Sequence, residues 1–205
     1  MMNTSIFSYT HPCRLPDRME RQTVYFEEVG KENTAKTLML VQARLQETFI
    51  QKIVLASTTG DTAKKALDMF PAPKTQLVVV PHQFDFSSKA NRFPAELVAS
   101  LRAAGHDVHF GTMLFHTENL YQSQIPVLMA DLLRCFSQGV KVCVEIVLMA
   151  ADAGLLTPGE KVIAVAGTGL GADTALVMQA ASSQHLKHLR ILEMICKPLN
   201  EIVKS

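Results

Sequence analysis

The chain has 205 residues, 48% of them hydrophobic and 19% charged, with 20 Lys and Arg against 19 Asp and Glu. That length accommodates one full-sized domain with a complete core, and the composition excludes general disorder. A formal net charge of +1 without a long basic run argues against a nucleic-acid partner, whose footprint gathers Lys and Arg on one face.

The four cysteines, Cys13, Cys135, Cys143 and Cys196, stand far apart with no C-x-x-C pair. Neither a zinc site nor a disulfide framework is signalled, so a reduced, intracellular chain is expected. His106 with His109, and His185 with His188, are three apart but have no third ligand in view, so no metal is expected. The longest apolar stretch, Val140 to Ala151, is interrupted by Lys141 and Glu145 and falls short of the ~20 residues of a membrane span. The first twenty residues have no hydrophobic signal core. Arg14, Arg18 and Arg21 fit a transit peptide while Asp17, Glu20 and two prolines oppose one, and the cytoplasm is the expected compartment.

In chain order, residues 1–21 read as an irregular arm and 22–205 as a single domain. Thr23 to Glu28 is a first strand, ended at Gly30. Asn33 or Thr34 is placed to cap a helix whose apolar positions are Leu38, Val41, Leu45 and Phe49. The strand Lys52–Ala56 leads into Ser57-Thr58-Thr59-Gly60-Asp61-Thr62. A helix from about Thr62 to Met69 stops before Pro71 and Pro73. Leu77–Val80 is uniformly apolar, the pattern of a strand buried on both faces, and Pro81 to Phe86 is a loop at its carboxyl end. Pro94 to Ala103 is a helix stopped by Gly105, and His106 to Phe110 a short strand before Gly111 and Thr112. Residues 113–124 carry no clear pattern. Helices follow from Pro126 to Phe136 and from Gly139 to Ala153, the second closed by Gly154. The strand Lys161–Ala166 opens into Gly167-Thr168-Gly169-Leu170-Gly171-Ala172-Asp173-Thr174, and Thr174–Met178 and Leu189–Ile195 are two late strands. Such alternation predicts an α/β/α sandwich around a mostly parallel sheet.

Two small, hydroxyl- and glycine-rich loops leaving apolar strands point to a pocket for a phosphorylated small molecule. Glycine admits close backbone approach, and free N–H and hydroxyl groups donate to anionic oxygens. The first loop lacks the Lys of a nucleotide-hydrolysing P-loop, and alternatively serves only to cap its helix through Thr59 or Asp61. The second is shorter than G-x-G-x-x-G and runs into a strand, against a Rossmann fingerprint. Asp173 either accepts from a ligand or ties the turn. Lys141 and Glu145, four apart with Gln138 near them on an apolar helix, form an internal salt bridge or touch a ligand. His82, beyond a strand end, is the candidate acid–base residue if there is chemistry. The apolar helices around Cys135 to Met149 are a candidate subunit interface.

Ile53 to Ala63 resembles the strand–loop–helix of the pyruvate kinase C-terminal domain, where a Thr-x-Ser-Gly-x-Ser/Thr-Ala turn holds activator phosphate in some members. Pro158 to Thr174 is similar to that domain's last segment, more loosely. Ser57-Thr58-Thr59-Gly60, Phe136 to Val142, Val144-Glu145-Ile146, Asp152-Ala153-Gly154 and Gly167 to Thr174 resemble motifs of the pyruvate-kinase-C-terminal-like family, over about Val24 to Pro198. The resemblance implies a three-layer α/β sandwich, a homo-oligomer, bound flavin mononucleotide (FMN) or a similar phosphorylated ligand, and no settled enzyme activity. The kinase reaction itself is not expected, because its barrel alone takes ~250 residues. The expected ligand-binding residues are Gly30, Asn33, Thr34, Ser57, Thr58, Thr59, Gly60, Thr62, His82, Gly111, Thr112, Gln138, Lys141, Glu145, Gly167, Thr168, Gly169, Gly171, Asp173 and Thr174. A binding module is expected first. A flavin-dependent oxidoreductase and a phosphosugar-binding regulatory module without flavin are the alternatives.

Overall fold

The computed structural model describes residues 19–86 and 92–200. The arm therefore lies largely outside the described residues. Strands β1 (Val24–Phe26), β2 (Lys52–Ala56), β3 (Gln76–Val80), β4 (Asp107–Val108), β5 (Lys161–Ala166), β6 (Thr174–Gln179) and β7 (Arg190–Pro198) form one sheet in the order β1-β7-β6-β5-β2-β3-β4. The helices are α1 (Thr34–Gln46), α2 (Asp61–Met69), α3 (Ala95–Ala103), α4 (Glu118–Tyr121), α5 (Ile125–Arg134) and α6 (Gln138–Asp152). All neighbouring strands are parallel except β6, which runs antiparallel to both β5 and β7. The reversal follows from chain length: a parallel return needs a crossover of a dozen or more residues, and the β5–β6 link is too short for one.

Alternation along the central strands sorts their side chains into two cores. Val54, Val78, Ala164 and Leu176 face α6. Ile53, Leu77, Ile163 and Val177 join Leu38, Ala63 and Leu101 of α1, α2 and α3 on the other face. This is the expected three-layer arrangement. The apolar runs that made β2, β3 and β5 legible are buried on both faces.

Several local expectations change. Helix α1 stops at Gln46, so Phe49 lies beyond it and is fully exposed. Asn33 does not cap α1 through its side chain; it donates to the Glu28 carbonyl at 2.7 Å. The Thr34 hydroxyl instead accepts from the Ala172 N–H at 3.0 Å, tying α1 to the second loop. Only Asp107 and Val108 of the span 106–110 pair as strand, and residues 113–124 hold a 3₁₀ turn at Leu114–His116 followed by α4. Helix α6 is buried from Gly139 through Ala150 apart from the half-buried Val142, which makes it the spine of one core. No helix among the described residues is long and apolar enough to cross a membrane.

Candidate functional site

The strand order reverses direction between β2 and β5. From β2 the chain moves outward to β3 and β4; from β5 it moves the other way, to β6 and β7. Loops leaving adjacent parallel strands in opposite directions open a crevice at the strand carboxyl ends, the place where open α/β sheets bind ligands. Both glycine-rich loops leave this crevice edge. A cavity of about 690 Å³ lies there, within the ~300–1,000 Å³ usual for small-molecule sites.

The first loop turns from β2 into α2 through Gly60, which holds φ +90°. A Cβ there would meet Leu97 and Pro94 of the α3 side, so glycine lets the loop lie flat on that helix. Gly60, rather than Thr59 or Asp61, is the N-cap residue. The Ser57 hydroxyl accepts from the Ala63 N–H at 3.3 Å, and the Thr59 hydroxyl donates to the Asp61 carboxylate at 3.0 Å. The Asp61 and Thr62 amides, in the first turn, have no carbonyl one turn back to bind. Ser57, Thr58, Thr59 and Thr62 line the cavity, with the exposed Lys64 and Lys65 on its rim.

The second loop is organised from beneath by Asp173. Its buried carboxylate accepts from the Thr168 N–H at 3.1 Å, the Gly30 N–H at 3.2 Å and the Thr174 hydroxyl at 2.8 Å. Asp173 therefore ties the turn, and Gly30 and Thr174 belong to that tie. Gly171 has φ +77°, and a Cβ there would stand 2.4 Å from the Lys31 Cα and 2.5 Å from the Thr34 Oγ. That close approach brings Lys31 and Thr34 to the cavity beside Gly167, Gly169, Leu170 and Gly171. Gly169, with φ +76°, has open space where a Cβ would sit. The Thr168 hydroxyl is buried without a hydrogen-bond partner among the described residues.

Helix α6 supplies a wall, with Gln138, Lys141, Val142, Glu145, Ile146 and Met149 facing the cavity. The Lys141 ammonium and Glu145 carboxylate meet at 2.6 Å, 1% and 2% exposed, so the internal salt bridge and the cavity lining are one feature. Glu145 Oε1 accepts from the Phe115 N–H at 2.8 Å, and Lys141 Nζ lies 3.0 Å from His116 Nε2. An ammonium only donates, so His116 accepts on Nε2 and is neutral. Burial, and then the Lys141 charge, hold the His116 imidazole below its ordinary value. Burial also lowers Lys141, opposed by Glu145. His82 lines the same wall with its ring 4.8 Å from Phe86, and is lowered chiefly by burial and then by Arg92.

Of the expected residues, the cavity gathers Thr34, Ser57, Thr58, Thr59, Thr62, His82, Gln138, Lys141, Glu145, Gly167, Gly169 and Gly171. Gly30, Gly60, Thr168, Asp173 and Thr174 shape the loops without lining it, and Asn33 sits beside α1. Gly111 packs against His109 and Thr112 is exposed, both past the edge strand β4, and neither lines the cavity, which the next residue, Met113, does. Sequence reading missed Lys31, Lys64, Lys65, Phe86 and His116. The lysines carried a signal, being cations within a few residues of each loop. His116 lay in the unpatterned span. Among the described residues no three His, Cys, Asp or Glu groups come together to hold a metal.

Residues 35–178 match the model of the pyruvate kinase alpha/beta domain family. Among solved structures, a pyruvate kinase from Cryptosporidium parvum matches over 73% of this chain at 16% identity, with a TM-score of 0.38. The Cryptosporidium parvum pyruvate kinase in complex with ADP matches over 72% at 16% identity, with a TM-score of 0.39. The match spans 23% of the length of each of those enzymes.

Proposed function

Given that the chain belongs to the pyruvate kinase alpha/beta domain family, we propose that it is a binding module for a phosphorylated small molecule, FMN being that ligand. The observation that carries the reading is the switch-point cavity, where hydroxyls and lysines of two loops adjoin an apolar wall. A phosphate dianion suits the first loop, which offers the Ser57, Thr58 and Thr62 hydroxyls, the first-turn amides of α2, and Lys64 and Lys65. The helix dipole adds to that attraction. Asp61 repels an anion there, and the two lysines outweigh its single charge.

The wall made by Val80, Met113, Val142, Ile146 and Met149 suits a flat ring system and excludes water from it. Lys141 has three N–H bonds, two engaged by Glu145 and His116, and so offers one more to a ring carbonyl. FMN supplies redox chemistry in proteins that use it, whereas the groups here bind and orient. Binding without chemistry is favoured because the histidines on the wall are engaged: His116 by Lys141, His82 against Phe86.

The test is a visible absorption spectrum of freshly purified protein, then heat release, identification of what is released, and reloading with FMN. A flavin spectrum, or uptake of added FMN, is expected. Protein that is colourless and takes up no FMN refutes the flavin reading, and uptake of a sugar phosphate in its place would assign a phosphosugar module.

A further inference from the structure

We infer that Glu145 and Lys141 together read a lactam edge, a ring C=O beside a ring N–H, on the molecule this cavity holds. The inference rests on the flavin reading, flavin carrying such an edge at its N3. The pair stands in the α6 wall, 2% and 1% exposed, and both residues line the cavity. A buried ion pair adds little net stability over apolar side chains of the same size. Its place in a wall otherwise made of Val80, Met113, Val142, Ile146 and Met149 therefore points to what the wall faces.

The hydrogen bonds already made decide which group accepts. One Glu145 oxygen takes the Phe115 N–H at 2.8 Å and the other takes Lys141 at 2.6 Å, while a carboxylate has about four lone-pair sites. Glu145 therefore keeps accepting capacity, and Lys141 has donors only. His116 accepts from Lys141 on Nε2, so its proton sits on Nδ1 and what it has left is a donor. The Gln138 oxygen already accepts from Arg134 Nε at 2.8 Å. A ligand N–H reaching this part of the wall finds its strongest acceptor in Glu145, because a hydrogen bond to a charged group is about twice as strong as a neutral one.

The spacing fits as well. Across a lactam the oxygen and nitrogen are about 2.3 Å apart, from C=O and C–N bonds of ~1.23 and ~1.33 Å. Glu145 Oε2 and Lys141 Nζ stand 2.6 Å apart, which suits two nearly parallel bonds. Lys141 donates to the ring C=O, and the ring N–H donates to Glu145. The same cavity extends from the first loop to this wall, so a phosphate at the loop and a ring edge on α6 belong to one ligand. Methylation of the ring nitrogen removes the N–H and leaves the C=O, which isolates the Glu145 bond.

Fluorescence titration with FMN and with 3-methyl-FMN, whose methyl replaces that N–H, tests this on the full chain and on its Lys141→Met, Glu145→Leu variant. The double variant strands no charge, and far-UV circular dichroism checks its fold. The parent should bind FMN at least ~10-fold tighter than 3-methyl-FMN, the worth of one hydrogen bond to a charged group. The double variant should bind the two about equally. A clash with the methyl alone would persist there, because leucine fills nearly the volume of glutamate. Should the double variant fail to fold, Glu145→Gln keeps the shape, removes the charge and should narrow the discrimination. Equal binding of the two flavins by the parent overturns this inference and leaves the flavin reading standing. Discrimination undiminished in the variants also overturns it, and places the acceptor elsewhere on the wall. A parent that binds neither flavin refutes the flavin reading, and this inference with it.

Discussion

Replacing Lys141 with Met keeps the length of the side chain and removes only its ammonium. Glu145 would retain the Phe115 N–H at 2.8 Å and lose its counter-ion at 2% exposure. Breaking a buried pair from one side costs ~3–5 kcal/mol, because the remaining charge has neither water nor partner. The His116 nitrogen loses its donor too, a cost of ~1–3 kcal/mol if it stays buried. Part of this is recovered when Glu145 takes up a proton, so about 3–5 kcal/mol in total is expected. In the double variant Lys141→Met, Glu145→Leu no charge is left to bury. The Phe115 N–H goes unpaired instead of a carboxylate, at ~1–3 kcal/mol, and the His116 nitrogen lacks its donor in both variants. The double variant should therefore be more stable than Lys141→Met, while both lose the donor that the cavity offers a ligand. Urea unfolding followed by far-UV circular dichroism measures this, since the chain has no tryptophan to report by fluorescence. A double variant as unstable as Lys141→Met, or more so, would refute the argument that the charge stranded on Glu145 sets the cost.

Gly171→Ala should cost at least ~2–4 kcal/mol, because left-handed backbone is combined with contact at 2.4 Å from the Lys31 Cα. Gly154→Ala, at φ +73° with open space, should cost only ~1–2 kcal/mol, and equal urea midpoints for the two would remove the packing term. Burial, first among the causes, holds His82, His106, His109 and His116 below the ordinary 6.5. The unfolded chain thus takes up protons on them before the folded chain does. Stability should be full above 6.5 and fall as pH drops through the lowered folded values, and urea midpoints flat across that window would contradict this. Thr58→Ala with Gly169→Val should weaken FMN binding by at least ~10-fold, the worth of one hydrogen bond to a charged group. Unchanged affinity in fluorescence titration would move the ligand elsewhere.

The central strands were legible because burial on both faces writes itself as uninterrupted Val, Ile and Leu. Both glycine loops were legible as breaks directly after such runs. Their internal wiring was not. That Asp173 points under its loop to Gly30 and Thr168, 143 residues and five residues away, depends on β1 and β6 meeting through β7. The same holds for Thr34, whose spacing says cap and whose partner is a loop amide 138 residues away. His116 was hidden because a 3₁₀ turn of three residues has no period to read. The Lys141–Glu145 pair was visible as an i, i+4 spacing on an apolar helix. Only the fold shows that this helix is the wall of the switch-point crevice.

Equilibrium titration of the purified protein with FMN and with riboflavin, followed by flavin fluorescence, isolates what the phosphate contributes. Two or more charge-assisted hydrogen bonds from the first loop, at ~1.5–3 kcal/mol each, predict FMN binding at least ~100-fold tighter than riboflavin. Equal affinities would contradict a phosphate-anchored ligand at this cavity, and no binding of either would contradict the flavin assignment itself.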